Sequence, residues 1–233
     1  MSSPVPLRHD TAPNHAHKVF IERFRFLNAL YYPVVSSKNV LRQELVDATQ
    51  IPDSVVGVVT HAVDTRQFQG VFVPSNDATA MANDFESFLD VLQKQTIVTA
   101  YRYFADFCMD LLADIVKING STLPQKLQTR LEERFMNLEH IKLAFRDHPG
   151  VAVCSSDDEQ ASLNCLLATR NGIEHADCRV DREYLRLTGT NLHIGDVIPA
   201  GSKEAGEALA IVEHLVQALN ERCLSKWSLA PSS

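Results

Sequence analysis

Arg170, Asn171 and His175 fall within one short run, Arg170-Asn171-Gly172-Ile173-Glu174-His175, and their types suit chemistry on a phosphate. A guanidinium stays charged and donates paired hydrogen bonds to an oxyanion. An unperturbed imidazole titrates near neutrality and can move a proton in either direction. The Asn171 amide could orient the ring or contact a ligand.

Spacing constrains how these groups meet. Asn171 and His175 are four residues apart, so on a helix they are neighbours, whereas Arg170 lies about 140° around from His175. Arg170 shares one broad face with Leu163, Leu166, Leu167 and Ile173. A guanidinium on an apolar stripe needs a carboxylate, an interface or a ligand anion. One helical copy spreads the three groups out, while two copies about a two-fold axis would converge them into one cleft. Plainer roles compete with catalysis: Arg170 can pair with Glu174 one turn on, and His175 can cap the helix C-terminus through the macrodipole.

The elements that carry this run read as helices. Ser156 followed by Glu159 is a capping box, which starts the motif helix close to Asp157 and lets it run to about His175. Upstream, Phe20, Phe24, Leu27 and Tyr31 recur at helical spacing and Pro33 is expected to end their helix. A second short helix is expected over 39–49. Two β-branched runs, Val55-Val56-Gly57-Val58-Val59 and Gly70-Val71-Phe72-Val73, read as a small hairpin, although the first serves equally as a buried helix turn. Ser75-Asn76-Asp77 caps a long tract over 78–118, with a break expected at 96–99 where β-branched residues crowd, and Gly120 follows as a C-cap. Further helices are expected over 123–145, 182–187 and 203–226. The expected fold class is therefore all-α in the main: a disordered stretch 1–13, a helical or mixed appendage 14–77, a helical bundle 78–227 and a disordered tail 228–233.

Composition narrows the function. The 233 residues carry a formal net charge of -7, which argues against coating nucleic acid non-specifically but leaves room for a small basic site. No stretch reaches the length and apolarity of a membrane helix and the N-terminus lacks a signal-peptide core, so a cytoplasmic protein is expected. Five scattered cysteines without a CxxC pair fit free thiols better than a disulfide framework or zinc site. His15, His17, His140 and His148 lack metal-ligand spacing, and His214 is expected to be packed or partly exposed. Tyr101, Tyr103, Phe104 and Phe107 read as a core stripe rather than an aromatic box. No P-loop, dinucleotide fingerprint or nucleophile elbow is present.

The run Arg-Asn, three residues, His resembles the signature of the HEPN superfamily at every defined position. The tail 176–185 is similar to the turn and small acidic helix that follow that signature, with Cys178 where glycine is frequent. The resemblance covers 78–227 and leaves the first 75 residues unmatched. It implies an antiparallel helical bundle and a homodimer with a composite site. The implied activity is a metal-independent endoribonuclease in which an RNA 2′-hydroxyl attacks the adjacent phosphate, with no cofactor. In that reading His175 is the general acid or base, Arg170 stabilises transition-state charge, and Asn171 orients His175 or contacts RNA. A toxin or anti-phage effector, restrained by an antitoxin or regulatory protein, would fit. The competing reading is a non-catalytic HEPN-like module for dimerisation or protein interaction, with nucleotide binding at the same cleft as a third.

Overall fold

In the computed structural model, residues 14–47, 78–119, 123–132 and 137–227 are described, and they form an all-α fold. In chain order the helices are α1 (His15–Asp47), α2 (Ala78–Asn119), α3 (Gln125–Glu132), α4 (Leu138–Asp147), α5 (Asp157–His175), α6 (Arg182–Thr188) and α7 (Ser202–Trp227). The expected hairpin, the cap at 75–77, Gly120 and both terminal segments lie outside the described residues. No helix among the described residues is long and apolar enough to cross a membrane. Two compact units are recognised, one drawn from the chain up to Leu30 with Gln93 onward, the other from Tyr31–Leu92.

Several helix ends differ from the sequence reading, each for a physical reason. α1 continues through Pro33, which forfeits one backbone hydrogen bond at a cost of about 3 kcal/mol. Leu27 and Tyr31, six and two residues before it, are buried, and the Ser37 hydroxyl donates to the Pro33 carbonyl at 2.6 Å. α2 runs unbroken through 96–99. β-Branching there costs a few tenths of a kcal/mol per residue, against about 1.5–3 kcal/mol for burying an isoleucine, and Thr96 and Ile97 are each 1% exposed. Conversely, the tract 123–145 is two helices, because Asn137 caps α4 by accepting the His140 N–H at 2.9 Å.

In the unit that contains the motif, the core lies between aromatic and aliphatic stripes. Phe20 stacks on Phe24 with centroids 4.9 Å apart, and Phe107 of α2 meets Phe20 edge-on at 5.8 Å. Leu209, Val212, Leu215, Val216 and Leu219 line the buried face of α7. Asn14 caps α1 by accepting the His17 N–H at 2.8 Å and donates to Asn220 of α7 at 2.7 Å, a buried polar link between distant helices. Cys108 and Cys223 are fully buried, and burial pushes both thiols up, Cys223 to about 12, so they pack as small apolar groups. In the other unit Lys38 of α1 pairs with Glu86 of α2 at 2.9 Å, beside the buried Phe85, Leu89 and Leu92.

α5 packs against α6 and α7, and its N-terminal end is fixed by charge. Ser156 Oγ accepts the Glu159 N–H at 3.2 Å, as the capping box requires. The Glu159 carboxylate departs from that motif by accepting the Ser155 N–H at 2.6 Å instead of that of Ser156. Arg222 of α7 completes the knot, donating to both Glu159 oxygens at 3.2 and 3.3 Å, to Ser155 Oγ at 2.9 Å and to the Val153 carbonyl at 2.7 Å. Burial alone would raise the Glu159 carboxyl, but the Ser155 N–H and the Arg222 guanidinium outweigh it and the net shift is downward. A depressed folded-state carboxyl stabilises the protein above the ordinary glutamate range, and that contribution disappears as pH falls through the lowered value. We expect Arg222→Ala to cost about 2–3 kcal/mol in urea unfolding at neutral pH, somewhat less than breaking a fully buried pair. Glu159→Gln should also destabilise at neutral pH, and its deficit relative to wild type should close in acid below the ordinary glutamate range; a deficit independent of pH would contradict the assignment.

Candidate functional site

The motif occupies the last turns of α5, and what seats that end is a missing side chain. Leu163, Leu166, Ala168, Thr169 and Gly172 form the buried face of α5. A Cβ on Gly172 would fall well inside van der Waals contact with Ile198 Cδ1. Ile198 is 1% exposed and belongs to a small cluster with Ala168, Val180 and Tyr184, with Leu185, Leu187 and Leu192 packed against it. The C-terminal end of α5 therefore lies close against the segment preceding α7. Leu167, Arg170 and Ile173, expected on the apolar stripe, are only partly buried at its edge.

The chain leaves α5 through a strained turn. Asp177 and Cys178 both have positive φ, 49° and 56°. Asp tolerates this region, whereas Cys has no local compensation for its Cβ. The turn takes the left-handed form, which favours glycine, even with Cys178 in it. Hydrogen bonds hold it there. The Gly172 carbonyl accepts the N–H groups of Ala176 and Cys178 at 3.2 and 2.9 Å, and the Cys178 carbonyl accepts the Ile198 N–H at 2.8 Å. Val180 and the segment 195–196 exchange two more, from Val180 N to the Asp196 carbonyl and from Gly195 N to the Val180 carbonyl, both 2.8 Å. Asp181 then caps α6 by accepting the Tyr184 N–H at 2.7 Å.

On the outer side of this seat the charged groups gather more closely than regular helical spacing suggested. Arg170 Nη2 pairs with Glu174 Oε2, and His175 Nε2 faces the same oxygen at 3.7 Å. Arg170 and His175 are therefore brought to a common point within a single copy. Asn171 holds the arginine, its Oδ1 accepting from Arg170 Nη1 at 2.9 Å. The guanidinium also lies over the ring of Tyr101 of α2, 5.8 Å from its centroid. Burial pushes the Tyr101 phenol up to about 12 against the opposing pull of the Arg170 charge, so the ring is a neutral platform near pH 7. The Arg170 side chain is 29% exposed and that of His175 is 69% exposed, which leaves the imidazole open to a ligand.

Tyr101 is the residue that the sequence reading missed as part of the site. It is buried with Phe104 and Phe107, at 9%, 0% and 1% exposure, as the core-stripe reading expected, and its ring also supports Arg170. Of the other candidates, His214 is exposed and faces Glu159 at 3.7 Å. No group of three metal-ligating side chains is gathered among the described residues. Compared with known protein families, curated proteins and solved structures, the chain matches none.

The turn yields a direct test. Cys178→Gly should stabilise the protein by about 0.5–1 kcal/mol, the relief of a left-handed Cβ less the greater freedom of glycine in the unfolded chain. Cys178→Val should destabilise it, because β-branching is poorly tolerated at positive φ. Thermal midpoints of the two variants are expected to move in opposite directions from wild type.

Proposed function

We propose that the protein is a metal-independent endoribonuclease of HEPN type. What supports the reading is the convergence of Arg170 and His175 on a single carboxylate oxygen at the open end of a capped helix. Two cationic or proton-bearing groups that can share one anionic oxygen can share a phosphate oxygen in its place. In the proposed reaction the RNA 2′-hydroxyl forms a bond to the adjacent phosphorus while the bond to the 5′-oxygen breaks, leaving a 2′,3′-cyclic phosphate and a 5′-hydroxyl. His175 takes the proton from the 2′-oxygen or gives one to the departing 5′-oxygen. Arg170, steered by Asn171 and Tyr101, stabilises the charge that builds on the phosphorane-like transition state. One imidazole serves one proton transfer at a time, so the second is assigned to the His175 of another copy, in a homodimer with a composite site.

A restrained toxin or anti-phage effector in the cytoplasm, held by an antitoxin or regulatory protein, is the biological setting that this chemistry suits. The acidic net charge favours the rival reading of a non-catalytic interaction module, since general RNA affinity would call for more basic surface.

Cleavage of single-stranded RNA by the purified protein should persist in EDTA. It should fall by about 10²–10⁴-fold in His175→Ala, the usual contribution of a general acid or base, and comparably in Arg170→Ala, with unchanged helical circular dichroism. Wild-type rates in both variants would overturn the mechanism and favour the module. Sedimentation should give a dimer at micromolar concentration, and a strict monomer would remove the composite site.

A further inference from the structure

Glu174 holds the position that a substrate anion would need. Its Oε2 takes Arg170 Nη2 and faces His175 Nε2 at 3.7 Å, so both groups assigned to the phosphate are turned toward a carboxylate of the same helix. The remaining partners of Arg170 do not compete with a phosphate: the Asn171 amide oxygen is neutral and the Tyr101 ring contributes a face. Among the described residues, the carboxylate paired with Arg170 is that of Glu174.

We propose that Glu174 is an internal anion that closes the site in the resting protein, and that an RNA phosphodiester must displace it from Arg170 to bind productively. The inference rests on the phosphate reading of Arg170 and His175. Three features make displacement feasible. The pair joins residues four apart on a helix and the Glu174 side chain is 30% exposed, so the bond is weak enough to exchange, within about 1 kcal/mol. Glu174 can swing into solvent without disturbing the buried face, because Gly172, not Glu174, seats α5. Arg170 keeps Asn171 and Tyr101 throughout, so its guanidinium stays aimed when the carboxylate leaves. The same carboxylate discriminates among ligands, since a neutral or weakly charged group recovers nothing for the ion pair it breaks whereas a phosphodiester replaces it with another.

Binding and turnover separate the gate from the nuclease. A fluorescent 2′-O-methyl RNA oligonucleotide, which lacks the attacking hydroxyl, is titrated by anisotropy against wild type, Glu174→Gln, Asp177→Asn and the double variant Arg170→Ala with Glu174→Gln. Asp177 is an exposed carboxylate in the adjoining turn, so its neutralisation measures the general effect of removing one negative charge. Glu174→Gln is expected to bind up to about fivefold more tightly than wild type. Asp177→Asn should stay within about twofold, and the double variant should lose the gain. With unmodified RNA, Glu174→Gln should lower KM and change kcat little. Equal affinity of Glu174→Gln and wild type, an equal gain in Asp177→Asn, or a gain that survives loss of Arg170 would each overturn the gate. If Glu174→Gln binds more tightly in the Arg170-dependent way and yet neither protein cleaves unmodified RNA, the gate stands and the nuclease reading falls. If wild type cleaves and Glu174→Gln gains nothing, the nuclease stands and the gate falls.

Discussion

The geometry of the motif depends on how closely the end of α5 can approach the segment before α7, and Gly172 sets that limit. Any side chain there must push against Ile198, which is enclosed by Ala168, Val180 and Tyr184. Overpacking such a site costs about 1–3 kcal/mol, more than the roughly 1 kcal/mol of helix propensity that glycine forfeits. The close seat also lets the Gly172 carbonyl and the Ile198 N–H hold the left-handed turn. With the Glu159–Arg222 knot fixing the opposite end of α5, the helix is held at both termini and its outer face is free to carry charge.

Much of this was legible in the sequence where the signal is local. Ser156 and Glu159 located the start of α5, and the all-α class followed from periodic apolar stripes. Local rules failed where distant burial outweighed them. Pro33 and the β-branched residues at 96–99 mark helix ends by propensity alone, yet Tyr31, Thr96 and Ile97 are buried and the helices continue. Asn137 erred in the other direction, since one N-cap splits a stripe that periodicity would join.

The candidate site was legible in its residue types and not in its wiring. Arg170, Asn171 and His175 were identified from spacing, but regular helical angles placed Arg170 and His175 on separate faces. Long side chains reach across that angle when a shared carboxylate draws both in, and the intervening Glu174 supplies it. The Tyr101 platform carries no sequence signal, because its partner belongs to another helix and the ring is buried in the same stripe as Phe104 and Phe107. Asn171, expected to orient His175 or contact RNA, accepts a hydrogen bond from Arg170.

The way Arg170 is held has a thermodynamic consequence for any ligand it meets. A free arginine side chain carries about 2 kcal/mol of rotamer entropy, which a flexible surface residue surrenders when it grips an anion. Here the Tyr101 ring and the Asn171 amide restrict the guanidinium before any ligand arrives, so that loss belongs to folding and not to association. An anion meeting this helix end would be spared that ordering cost, even though the chain's overall charge is negative.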